Sequence, residues 1–172
     1  VDAEGIMIPI KNILVPTDFS EPAEAALQYA RTLAMEFGSR LHVLHIVPEP
    51  YAYPWGTELS TFSLANILSE SETGARERLK TLAAGLKLPA DRVVTNASVG
   101  PPVDQILDYI GEKRIDLVVM GTHGRGMVGH LLIGSVAERV VRRSPVPVLT
   151  VHSAPADAAA KTARLRAEAA AS

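Results

Sequence analysis

The residues best suited to chemistry lie between Val118 and Val136, in the run Val-Val-Met-Gly-Thr-His-Gly-Arg-Gly-Met-Val-Gly-His-Leu-Leu-Ile-Gly-Ser-Val. Glycines at 121, 124, 126, 129 and 134 let backbone N–H groups approach an anion without a Cβ in the way. Ser135 follows the last of them, where its hydroxyl could donate to a phosphate or cap a helix. Ahead of the glycines, an apolar run from Ile115 to Met120, interrupted only by Asp116, reads as a buried parallel strand. Behind them the apolar spacing turns helical from Leu131 onward, through Leu132, Val136 and Val140. Strand, glycine-rich loop and helix in succession make an anion cradle, because a helix start adds N–H donors that have no partner inside the helix.

Known phosphate loops test that spacing. A Walker loop needs a Lys before its Ser or Thr, and Gly134-Ser135 lacks one. Gly124-Arg125-Gly126-Met127-Val128-Gly129 matches the dinucleotide pattern Gly-x-Gly-x-x-Gly. It follows a late strand, however, and no acidic residue on a following strand is there to take a ribose. Gly121, two residues, Gly124, nine residues, then Gly134-Ser135 fits better. This spacing resembles the nucleotide-binding signature of the universal stress protein family, in its ATP-binding branch, and the resemblance spans about residues 10 to 151.

The resemblance implies a role for each matching position. Gly121 and Gly124 lie against ribose and phosphates, while Gly134, Ser135 and Val136 hold the terminal phosphates through backbone N–H groups and the Ser135 hydroxyl. His123 and Arg125 lie within the loop; Arg125 reads equally as a phosphate partner or as a solvated loop cation. Val-Pro-Thr-Asp-Phe-Ser, with Pro16, Thr17 and Asp18, is similar to the family's first-strand motif. Asp18 then accepts from ribose or base, or helps hold a divalent cation; the plainer reading is a helix cap beside Ser20. Ile46 matches the position whose main chain contacts adenine, and Met120 is core first and pocket lining second. ATP or another adenine nucleotide is the implied ligand, with Mg²⁺ or Mn²⁺ carried in by the phosphates.

The elements that must position these residues follow from periodicity. Asn12 to Pro16 reads as the first strand. The helix after it has Ser20 as N-cap, Pro22 in the first turn and Gly38 as its stop. Leu41–Val47, Arg92–Val99 and Val146–Val151 read as further strands, the last an edge because of Pro147. Helices are expected over 57–86, with a weak first half and a possible break at Gly74, and from Pro102 to near Gly111. Strand–helix alternation predicts an α/β fold: a single-domain, open, five-stranded parallel sheet with helices on both faces, Rossmann-like and nucleotide-binding. The order 3-2-1-4-5 is supplied by the family resemblance. Residues 1–9 are expected to be a flexible arm, 10–152 the domain, and 153–172 an alanine-rich tail, disordered or loosely helical. Tyr51, Tyr53 and Trp55 either lid the adenine or pack on the following helix.

Composition narrows the field further. A net charge of −2 gives no general pull on nucleic acid or anionic membrane, and the absence of cysteine removes disulfides and thiolate chemistry. His42 and His45 are three apart on a strand, so they face opposite sides and cannot chelate together. No secretory signal is visible, and the expected location is the cytoplasm. Three readings follow. The first is a homodimeric, ATP-binding regulator or sensor in stress response with slow hydrolysis at most, dimerising through the edge strand as the resemblance implies. The second is an ATP-hydrolysing or adenylyl-transferring enzyme in which Asp18 and His123 place metal and water. The third is a nucleotide-free dimeric module that binds a partner protein.

Overall fold

A strand that is apolar beyond its first residue, at the centre of a parallel sheet, must be covered on both faces, and β1 (Asn12–Pro16) meets that condition. In the computed structural model, which describes residues 9–48, 61–122 and 134–152, Ile13, Leu14 and Val15 are fully buried. The chain continues through α1 (Glu21–Phe37), β2 (Arg40–Val47), α2 (Thr61–Gly85), β3 (Val93–Val99), α3 (Pro102–Lys113), β4 (Leu117–Gly121), α4 (Ser135–Arg143) and β5 (Val148–Val151). The strands form one parallel sheet in the order β3-β2-β1-β4-β5. β1 pairs along its whole length with Arg40 to Leu44, and Ile13 and Leu14 lie opposite Leu117 and Val118.

Alternation along the strands divides the core in two. Ile13, Val15, Leu41, Val43 and Val119 pack under α1 and α2; Leu14, Leu44, Ile46, Val118 and Met120 pack under α3 and α4. α1 approaches the sheet through Ala23, Ala26, Ala30 and Ala34, whose small side chains allow close packing. Its ends are as the sequence predicts. The Ser20 hydroxyl accepts from the Ala23 N–H, Pro22 sits in the first turn, and Gly38 closes the helix at φ 68°. Close packing also governs the end of β4: a Cβ on Gly121 would lie 2.8 Å from both the carbonyl carbon and the carbonyl oxygen of Pro22.

Several element ends differ from the sequence reading, each for a local reason. β4 begins at Leu117 because the Ile115 N–H is drawn back to the Ile110 carbonyl (3.0 Å) and Asp116 serves β1 instead. Its carboxylate accepts from the N–H groups of Lys11 and Asn12, both at 2.8 Å. β3 begins at Val93 because Arg92 ends a 3₁₀ turn (Ala90–Arg92), with its guanidinium donating to the Ser39 and Ala34 carbonyls. β5 begins at Val148, one residue past Pro147, whose carbonyl still accepts from the Val118 N–H (3.0 Å). α3 runs beyond Gly111 and closes on Arg114 at φ 50°. α2 passes through Gly74 without a break; one glycine costs about 1 kcal/mol in a helix, and burial of Ala75 and Leu79 outweighs it. α4 starts at Ser135 rather than Leu131, and Leu131 and Leu132 lie outside the described residues.

The two strand histidines do face opposite sides. His45 lies against Phe19, whereas His42 is buried against α3, with Nδ1 3.1 Å from the Tyr109 hydroxyl and Nε2 3.4 Å from Asn12 Oδ1. Burial first, then the charges of Arg40 and Lys113, lower the His42 pKa below its usual 6.5, so the ring is neutral in the folded state. The unfolded chain takes up this proton as pH falls below about 6.5, so the stability tied to the neutral ring is complete above that pH. It is lost as pH falls from there through the folded-state value. Urea unfolding at pH 7.5 and at 5.5 checks this: the midpoint falls with pH, and His42→Asn, weaker at pH 7.5, shows a shallower fall. Gly121→Ala is expected to cost about 1–3 kcal/mol, as overpacking against a backbone does; an unchanged urea midpoint contradicts the close approach to Pro22.

Candidate functional site

The strand order reverses between β1 and β4, and a crevice opens at the carboxyl ends of parallel strands at such a point. Pro16, Thr17 and Asp18 leave β1 on that side. The Thr17 N–H donates to the Leu44 carbonyl (2.8 Å), which prolongs the β1–β2 ladder and leaves Thr17 buried. The chain then turns sharply at Phe19, with φ 61°, in the left-handed region that a bulky side chain rarely enters. The Thr17 hydroxyl accepts from the Phe19 N–H at 3.0 Å, and the Asp18 carboxylate accepts from the Ser20 N–H at 3.0 Å and the Ser20 hydroxyl at 2.5 Å. Asp18 therefore braces the residue that caps α1. The cap itself is Ser20 and not Asp18, whose carboxylate is held one step back, on the Ser20 N–H and hydroxyl.

On the other side of the crevice, Gly121 ends β4 and Thr122 adds one more ladder bond, its N–H donating to the Val151 carbonyl at 3.0 Å. The chain comes back to the same point at Gly134, whose N–H donates to the Thr122 carbonyl at 2.6 Å. Gly134 is the N-cap of α4 and makes no side-chain capping bond; the Glu138 N–H closes the first helical turn on its carbonyl at 2.9 Å. Ser135 is thus the first helical residue and not the cap, and it is exposed. The first-turn N–H groups of Ser135 and Val136 have no carbonyl partner within the helix, which leaves a positive helix end beside β4.

Ile46 and Met120 come from the carboxyl ends of β2 and β4, both buried on the α3/α4 face of the sheet. Their side chains are core, as expected. His123, Gly124 and Arg125 lie outside the described residues, as do Tyr51, Tyr53, Trp55 and the tail. The structure therefore gathers Pro16 to Asp18, Gly121 and Gly134 to Val136 around one end of the sheet.

Two features escaped sequence reasoning. One is the Phe19 turn: nothing in Asp-Phe-Ser announces a positive φ, although Ser20 as N-cap does place a turn nearby. The other is a cleft of about 570 Å³ between α1 and α2, lined by Thr17, Phe19, Leu27, Arg78, Leu82 and Leu86 among others. It opens on the α1/α2 side and shares only Thr17 with the residues expected at the site. Among the described residues no group of three His, Cys, Asp or Glu could hold a metal ion, and no helix is long and apolar enough to cross a membrane.

The universal stress protein family model matches residues 9–152. A universal stress protein of Thermus aquaticus is 36% identical over 146 residues, covering 83% of this chain and 98% of its own length. The structure of universal stress protein UspA from Lactobacillus plantarum is similar with a TM-score of 0.73 at 28% identity, over 83% of this chain and 97% of that one. Two more distant structures share the fold. One is a universal stress protein in complex with cAMP, at 22% identity and TM-score 0.57, over 85% of this chain and 99% of that one. The other, from Archaeoglobus fulgidus, is in complex with dAMP, at 21% identity and TM-score 0.52, over 84% and 99%. Fold, strand order and sequence together make this chain a member of the universal stress protein family.

Proposed function

We propose that this protein binds ATP, or another adenine nucleotide, in the crevice between β1 and β4 and acts as a homodimeric regulator or sensor in stress response. The observation that carries the reading is the hydrogen bond from Gly134 to Thr122, which sets the uncapped start of α4 directly beside the end of β4. A phosphate there meets the N–H groups of Ser135 and Val136 and the positive end of the helix. Gly121, Gly124 and Gly134 keep the approach open, His123 and Arg125 extend it, and Pro16, Thr17 and Asp18 meet the ribose. Ile46 offers its main chain to the base and Met120 lines the pocket. Mg²⁺ or Mn²⁺ arrives with the phosphates, with Asp18 as a further oxygen ligand. The cAMP and dAMP complexes belong to other proteins of this fold and accord with an adenine ligand.

The groups assigned to the terminal phosphates are backbone donors and a hydroxyl, which stabilise charge but do not activate water, so hydrolysis is slow at most. A cytoplasmic location belongs to the same reading. The dimer forms through β5, whose outer edge carries no strand among the described residues and whose Leu149 is exposed.

Denaturing the protein as purified should release adenine nucleotide in near-stoichiometric amount, and Gly134→Val should lose it. Absence of nucleotide, together with no uptake of ATP with Mg²⁺ by calorimetry, removes the reading and favours the partner-binding module. An ADP share that rises over hours favours an enzyme. Light scattering at roughly tens of micromolar, a range where weak assembly is visible, should give a dimer mass. Leu149→Arg should shift it toward the monomer.

A further inference from the structure

We infer that Arg78, from α2 on the opposite side of the sheet, is a positioning residue for the nucleotide crevice, acting through Phe19 on Asp18. This rests on the reading that Asp18 meets the nucleotide. The turn that aims Asp18 is held at two ends. Before it, Thr17 is tied to β2 by its N–H to the Leu44 carbonyl (2.8 Å), and His45 Nδ1 lies 2.7 Å from the Thr17 carbonyl. After it, Ser20 is committed to capping α1. Between the two, Phe19 sits at φ 61°, a conformation its own side chain disfavours; its N–H is held inside the turn by the Thr17 hydroxyl (3.0 Å), and its ring is held from outside.

Two groups do so. The His45 ring lies with its centroid 4.5 Å from that of Phe19 at an interplanar angle of 41°, and the Arg78 guanidinium carbon sits 4.0 Å from the ring centroid. Arg78 makes no ion pair among the described residues. Its neighbours on the exposed face of α2 behave differently, Arg76 pairing with Glu72 and Lys80 with Glu77. An arginine on a face rich in carboxylates that spends its guanidinium on a strained phenylalanine is placed to stabilise that turn. If Phe19 leaves the left-handed region, the turn that brings the Asp18 carboxylate onto the Ser20 N–H and hydroxyl opens. The floor of the site is thereby anchored to a helix that takes no part in the site itself.

The test uses Arg78→Ala and Arg78→Lys in the full chain, both at an exposed helix position where the fold tolerates either residue. In protein freed of nucleotide, amide hydrogen exchange at Phe19 and Ser20 should rise several-fold in Arg78→Ala and stay near wild type in Arg78→Lys, which keeps a cation over the ring. Calorimetry with ATP and Mg²⁺ should show affinity weakened roughly three- to tenfold in Arg78→Ala, the range a cation–π contact supplies, and restored by Lys. Unchanged exchange in Arg78→Ala overturns the clamp. Raised exchange with unchanged affinity overturns its positioning role. Wild-type protein that takes up no ATP overturns the nucleotide reading and the positioning role with it, while the exchange measurement still decides whether Arg78 holds the turn.

Discussion

The whole carboxyl end of the sheet depends on β4 lying beside β1. Elements adjacent in sequence build the rest of the sheet by short steps, but this pairing joins strands a hundred residues apart and is secured at its base by Asp116. That carboxylate accepts from the N–H groups of Lys11 and Asn12, while the Asp116 N–H donates to the Asn12 carbonyl at 2.9 Å. A charged acceptor on two backbone donors is a strong contact. It fixes the register that sets Ile13 opposite Leu117. With the base fixed, β1 leads on to Thr17 and β4 to Gly121, and α4 begins beside the end of β4, where the Gly134 N–H meets the Thr122 carbonyl.

Close approach is the second constraint. α1 presses alanines against one face of the sheet and brings the Pro22 backbone onto Gly121. The glycine at that position is thus required by packing whether or not a phosphate passes it. Position 121 shows how one residue type can satisfy two demands, and why a glycine in a loop signature is ambiguous until its surroundings are known. Asp18 carries the same ambiguity: it braces Ser20, and that brace is what orients it.

Much of this was legible in the chain. Short apolar runs and helical spacing placed the five strands and four α-helices, Ser20 and Gly38 marked the ends of α1, and the offset between His42 and His45 set them on opposite faces. The order of the strands was legible only through family resemblance, because nothing in the composition of β1 or β4 says that they touch. Two strand starts were missed where a long-range contact outvoted local pattern, Asp116 being claimed by β1 and Arg92 by the carbonyls at the end of α1, while α3 ran past Gly111 because Arg114 itself took the left-handed position. The Phe19 turn was invisible for the same reason, since its support comes from His45 and from Arg78 on α2. Local rules fail where distant side chains hold the backbone.

The position of β1 also has a consequence for how the chain is made. Among the described strands the middle one comes earliest in the chain, and its bond to Asp116 spans 104 residues. At ribosomal rates β4 follows β1 by roughly 5 to 20 seconds. In that interval β1, β2 and β3 can assemble with α1 and α2 over one face, while Leu14, Leu44 and Ile46 stand bare on the other and one edge of β1 is unpaired. A half-sheet of that kind would carry both a bare apolar face and a free edge, the two features through which sheets associate. The segments that cover that face and pair that edge, α3, β4 and α4, all come later in the chain.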